Sequence, residues 1–379
     1  MKVDCNVTKI KTGYDRKTCW VQTRAGIIPD CKKVVITTQK LRLTGSDIFY
    51  GICTMISDDM GNTWSEPISQ EAFKARPDSD GAYFYVSDFC PQWHSKSATL
   101  LGTGHTPRYK DDELTPYNYK RSTPYCTFDP DTDRWSDWRF LELPDNVLFE
   151  FSGSGCSQRL DLPDGDILLP MSSRDISLGS EIFGGLINSF VVRCSFDGHS
   201  LIYKEHGNFL SVKEPRGLCE PSLEENNGKF YLTLRNDVKG YLACSDDGLN
   251  FSKPIPWRFD NGDEIGNYCT QQHWVKLKNR LFLVYTRRGL NNDHVFRHRA
   301  PLVMAEFDEE NLCLIKDSEM IVVPEHGARL GNFGVTPVSD SESWVVVSEW
   351  MQGLQGGKSL DDIEKCGANN TFFISKLTL

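Results

Sequence analysis

Ser57-Asp58-Asp59-Met60-Gly61-Asn62-Thr63-Trp64 is the stretch on which the fold turns. It satisfies SxDxGxTW, a pattern in which every fixed residue has a local task. The Asp side chain accepts hydrogen bonds from backbone N–H groups across a tight turn, Gly supplies a positive φ, and the indole buries beneath the turn. Looser copies follow at Thr127-Phe128-Asp129 with Trp135, Ser195-Phe196-Asp197-Gly198, and Ser245-Asp246-Asp247-Gly248 with Phe251, with a relic at Ala305-Glu306-Phe307-Asp308. The intervals are 70, 68, 50 and 60 residues, so a 379-residue chain holds about six such units. Ile56, Cys126, Cys194 and Cys244 precede the repeats and read as one shared, buried strand position.

Between the repeats lie short runs rich in Val, Ile, Tyr, Phe and Trp: Val34–Thr38, Asp166–Pro170, Phe230–Leu234, Leu281–Tyr285 and Trp344–Ser348. Leu162-Pro163-Asp164-Gly165-Asp166 and Asn226-Asn227-Gly228-Lys229 put Asp-Gly and Asn-Gly where a hairpin needs φ > 0. Lys278-Asn279-Arg280 and Asp340-Ser341-Glu342 read as the same turn. Helical periodicity is absent. Repeats of this size, each a few strands with two faces to bury, predict an all-β, six-bladed β-propeller. A single domain over residues 1–379 is expected, with the strand Phe372–Leu377 closing the ring.

Composition narrows the function. The chain is 39% hydrophobic and 25% charged, and no apolar run approaches the ~18 residues of a membrane helix. Its net charge of −10 argues against nucleic acid or an anionic membrane as the main partner. Thirteen scattered cysteines form no CxxC or Cys/His zinc pattern, so they read as buried, reduced thiols. With no signal peptide visible, the expected compartment is the cytoplasm. No metal or cofactor is expected: GxGxxG, Walker A and GxSxG motifs are all missing.

Three longer segments, taken with the turn repeats, resemble the sialidase (neuraminidase) superfamily, in which SxDxGxTW is the Asp-box. Ser152-Gly153-Ser154-Gly155-Cys156-Ser157-Gln158 through Pro170 is similar to the third-blade segment. Cys219-Glu220-Pro221-Ser222 through Arg235-Asn236 resembles the segment carrying a catalytic Glu and, 15 residues on, an Arg of the carboxylate clamp. Arg297-His298-Arg299, ahead of Leu302–Ala305, stands where the family places a further clamp Arg. The likeness runs in order from about residue 30 to the C-terminus.

The resemblance implies a glycosidase acting on a terminal, acidic sugar. Sialidases grip the sugar carboxylate with three arginines, use a Glu-activated Tyr as nucleophile, and employ an Asp as general acid and base. On that basis Glu220 and Asp47 are the catalytic carboxyls, and Arg235 with Arg297 or Arg299 binds the substrate. Asp88 and His94 (near Trp93), Gln158 and Gln271 are further candidates for sugar hydroxyls. Two elements depart from the pattern. Gly26-Ile27-Ile28-Pro29 carries Ile where the first clamp Arg belongs, with Arg24 and Arg42 off register. Gly331-Asn332-Phe333-Gly334 has no Tyr, leaving Tyr50, Tyr268 or Tyr285 to reach in. The missing Tyr predicts little turnover of a generic aryl sialoside. It leaves open direct use of Glu220 and Asp47 on a different, non-sialic glycan, or a propeller that binds glycans without cleaving them.

Overall fold

The computed structural model describes residues 2–45, 47–115, 119–174, 186–353 and 359–379. Six antiparallel sheets follow one another along the chain as blades. Their innermost strands are Thr18–Ile28, Ser87–His94, the interrupted pair Ser152–Gly153 and Leu160–Asp161, Cys219–Asn226, His273–Leu277 and Gly334–Ser339. Blade one touches both blade two and blade six, which closes the ring of a six-bladed β-propeller. The closing strand expected over Phe372–Leu377 runs from Phe372 to Thr378, and Asp4–Lys11 pairs along its outer side, so blade six combines the first and last strands described.

The turns that set the repeat behave as their chemistry demands. Asp59 Oδ1 accepts from the Asn62 and Thr63 backbone N–H groups at 3.0 and 2.8 Å, and Ser57 Oγ donates to the same oxygen at 2.8 Å. Asp197, Asp247 and Asp308 hold their own turns in the same manner. Trp64 is half-buried rather than fully covered, its indole N–H donating to Gly61 O. The core is divided among the interfaces between blades. Leu168, Leu223 and Leu232 fill the wedge between blades three and four, and Tyr231, Trp274 and Phe307 fill the next. Each sheet buries both faces, which is why runs such as Val34-Val35-Ile36 are apolar without alternation.

Two elements were not foreseen. A small sheet joins Arg76–Pro77 and Tyr83–Phe84, from the link between blades one and two, to Arg108–Lys110 and Glu113–Leu114 from within blade two. A short helix, Leu360–Lys365, starts at a capping box between Ser359 and Asp362. All thirteen cysteines are free thiols.

Blade four carries a pH-sensitive group remote from the mouth. Burial raises the Glu224 carboxyl from 4.5 to about 7. Between those pH values the native state keeps a proton that the unfolded chain has released, so stability falls as pH rises across that window. Glu224 is partly exposed, which reduces the effect to about 1–2 kcal/mol. Glu224→Gln is therefore expected to raise the melting temperature at pH 8 and leave it unchanged at pH 4.5, as read by calorimetry. An equal shift at both pH values would remove Glu224 as the cause.

Candidate active site at the propeller mouth

The innermost strands begin at one end of the ring, and each of five blades places a left-handed residue there. These are Gln22, Asp88, Cys156, Glu220 and Cys269, with φ of 56, 51, 57, 48 and 56°. In blades one, two and four the strand register slips at this residue, as a bulge requires. Each is tied to an adjacent blade. Gln22 Oε1 accepts from Asp88 N at 2.6 Å, Cys156 N donates to Asp88 O at 3.0 Å, Glu220 N donates to Ser172 Oγ at 3.1 Å, and Cys269 N donates to Asn236 O at 2.8 Å. Strained backbone held by neighbouring blades fixes these side chains around the axis.

Above this ring lies a cavity of about 770 Å³. Asp47, Asp88, Glu220 and Asp237 line it together with seven arginines: 121, 174, 216, 235, 297, 299 and 329. Among the described residues no tyrosine does so. Phe49, Phe296 and Trp350 supply aromatic wall, with the Arg329 guanidinium 4.8 Å from the Phe296 ring and 5.2 Å from that of Trp350.

The charges form a connected arc. Arg235 Nη1 donates to Glu220 Oε1 at 2.5 Å and Nη2 donates to Asp237 Oδ1 at 3.3 Å, while Arg216 reaches Asp237 Oδ2 at 3.2 Å. Burial pushes the Glu220 carboxyl up, but Arg235, then Arg216 and Arg299, outweigh it and hold Glu220 below the ordinary glutamate value. Burial and then Arg235 push the Arg299 guanidinium down, and burial and then Arg299 do the same to Arg329. Positive charge is thus crowded at blades five and six.

Asp88 is pushed the other way. Burial raises its carboxyl above the ordinary aspartate value against the pull of Arg24, and Glu220 and Asp47 add to the rise. Cys156 Sγ donates to Asp88 Oδ1 at 3.0 Å, and His105 Nε2 lies 3.6 Å from Oδ2. That imidazole is neutral, since burial, then Arg121 and Arg24, drive its pKa well down. A Cβ at Gly155 would sit 2.2 Å from His105 Nδ1, so only glycine fits there. Asp47 stands on the loop after Lys33–Arg42 with φ 59°, and Tyr109 of the small sheet donates to its carbonyl at 2.7 Å.

Of the residues singled out from sequence, Asp47, Asp88, Glu220, Arg235, Arg297 and Arg299 are thus brought to one cavity. Three are not. His94 is buried and bonded to Ser97 Oγ and Gly165 O, because it caps the turn that ends its own strand. Gln158 bridges to blade five through both the N–H and the C=O of Trp274. Gln271 lies on the axis, where it bonds Arg24 Nη2 and Phe333 O. Arg24 itself lies beneath the floor, its Nη2 3.0 Å from Cys156 Sγ. Tyr285 is buried against Glu319, Tyr268 bonds His298, and Tyr50 bonds Arg42. Phe333 is fully buried against His273, and Asn332 takes the place on the wall. Sequence reading missed Arg329, Arg216, Arg121 and Arg174, none of which belongs to a motif.

No family model and no curated protein matches the chain. Solved structures do. A protein of unknown function from Dyadobacter fermentans aligns with a TM-score of 0.63 at 14% identity, over 98% of this chain and 99% of that one. The Hadza microbial sialidase Hz136 gives 0.68 at 11% identity, over 98% of this chain and 68% of that one. Trypanosoma rangeli sialidase in complex with sialic acid gives 0.63 at 12%, over 99% of this chain and 59% of that one. At such identities the likeness establishes a shared, sialidase-like fold.

Proposed function

We propose that the chain is a glycoside hydrolase acting on a terminal sugar that carries a carboxylate. The observation that supports this most is one cavity holding the carboxyls of Asp47, Asp88 and Glu220 beside an arc of arginines. Arg235, Arg299 and Arg329 would receive the sugar carboxylate, since guanidinium pairs bidentately with it and the three converge on one cavity. Phe296 and Trp350 would offer the ring a face.

With no phenol among the described residues of the wall, the carboxyls carry the chemistry. Two carboxyls whose surroundings drive their pKa values apart form an acid–base pair. Glu220, held ionised, takes a proton from water as the water oxygen bonds to the anomeric carbon. Asp88 delivers its proton to the leaving oxygen as the glycosidic bond breaks. Water is the better nucleophile here, because a carboxylate attacking directly would be repelled by the sugar's own carboxylate. Asp47, the acid and base that the family resemblance implies, would then serve to orient the aglycone or the water.

The test is hydrolysis of a panel of sialosides and uronides, compared across pH for the parent chain, Asp88→Asn and Asp47→Asn. Asp88→Asn is expected to lose about 10²–10⁴-fold in turnover together with the alkaline limb of the profile. The reverse ranking would return the acid role to Asp47. A parent that binds sugar acids and cleaves none of the panel would leave the second reading, a glycan-binding propeller, which the existing Arg235–Glu220 pairing favours.

A further inference from the structure

We infer that the cavity has a second anion subsite, built by Arg121 and Arg174, and that its ligand is an acidic oligosaccharide with a second negative group beside the terminal one. The inference rests on the reading that the cavity holds an acid sugar. Arg121 N–H donates to Glu150 O at 2.8 Å, and Arg174 N–H donates to Phe151 O at 3.2 Å. Arg121 forms an isolated parallel bridge with Phe151, and Arg174 continues the antiparallel ladder that pairs Ser152 with Ser173, so the two arginines flank Phe151, one on each side. Two ladder spacings put their Cα atoms roughly 10 Å apart, within reach of a shared anion for two side chains of this length. Both line the cavity. They belong to the blade two–three side of a six-membered ring, which faces blades five and six, where Arg299 and Arg329 stand.

The two groups stand on opposite sides of the ring, with Arg216 and Arg235, paired to Asp237 and Glu220, between them on one side. Arg299 and Arg329 press on each other electrostatically, whereas Arg121 acts on His105 of its own blade. One sugar carboxylate cannot span both. A cavity of about 770 Å³ is large for a single sugar, and it suits two linked rings with one charge held on each side. The second charge can be a carboxylate, sulfate or phosphate, since arginine pairs with all three.

The experiment compares N-acetylneuraminic acid with its α2,8-linked dimer by titration calorimetry. The dimer is expected to bind the parent roughly tenfold or more tightly than the monomer, a gain that shrinks as salt rises. The ratio of the two affinities should fall towards one in Arg174→Gln and in Arg121→Gln. In Arg299→Gln both affinities should fall together with the ratio kept. Monomer binding in each variant also reports that the mouth is folded. A monomer that binds with no gain for the dimer, or a gain that survives both variants, overturns the second subsite and spares the acid-sugar reading. If neither ligand binds the parent, the acid-sugar reading falls and takes the subsite with it.

Discussion

Glu220→Gln is expected to lower turnover of a cleavable acid-sugar glycoside by about 10³-fold while tightening binding of the free sugar acid. The two effects have one origin. In the parent, Glu220 occupies Arg235 at 2.5 Å, so a ligand carboxylate must share that guanidinium. An amide of the same shape cannot accept a proton from water, which removes the base. It also returns Arg235 to the arc, which adds positive charge where the ligand binds. Kinetics and calorimetry on one preparation read both quantities. Loss of turnover with weaker binding would point to damage at the mouth, and unchanged turnover would take Glu220 out of the chemistry.

Arg235→Met should cost stability as well as affinity. The Arg235 side chain is 7% exposed and that of Glu220 is 22%, and breaking such a pair by removing one partner costs about 3 kcal/mol because the other charge is stranded. The sign of the pH dependence follows. A carboxyl held below its ordinary value stabilises the native state above the unfolded pKa, near 4.3, and loses that contribution as pH falls through the folded pKa. Met at 235 removes the largest of the charges acting against burial, so the Glu220 pKa rises. The deficit against the parent should be greatest at pH 7 and shrink towards pH 4, where the stranded carboxyl takes up a proton. Chemical denaturation at the two pH values measures it. A deficit independent of pH would mean that packing, and not charge, is what Arg235 supplies.

The repeat was legible from Ser57–Trp64 and its copies because its physics is contained within eight residues. A side chain, two backbone N–H groups and a glycine suffice to make the turn wherever they occur. Glu220 and Arg235 were legible because they face each other across one hairpin, where sequence separation and spatial register coincide. The other half of the mouth follows a different repeat. Gln22, Asp88, Cys156, Glu220 and Cys269 share a backbone conformation and almost no chemistry. A common φ held by the adjacent blade leaves no common letter. Arg329 precedes the inner strand of blade six without a motif, and its partners Phe296 and Trp350 arrive from other turns of the chain. His94 misled for the converse reason. A polar residue at a strand end looks like a ligand contact, yet its ring closes the turn beside it. The small sheet around Tyr109 was invisible because its strands are two or three residues long, too short for any periodicity.

The outer strand of blade six gives the ring a directional weakness under load. Asp4 pairs with Thr378 and Lys11 with Phe372, so Asp4 and Thr378 lie side by side at one end of this ladder. Tension applied through Asp4 and Thr378 would act across the hydrogen bonds at that end and open them in sequence, as a zipper opens. The same load along the strand axis would have to shear the whole row at once. A propeller pulled in this way should yield first at blade six, at low force, and the remaining five blades would then meet the load with their inter-blade wedges still packed.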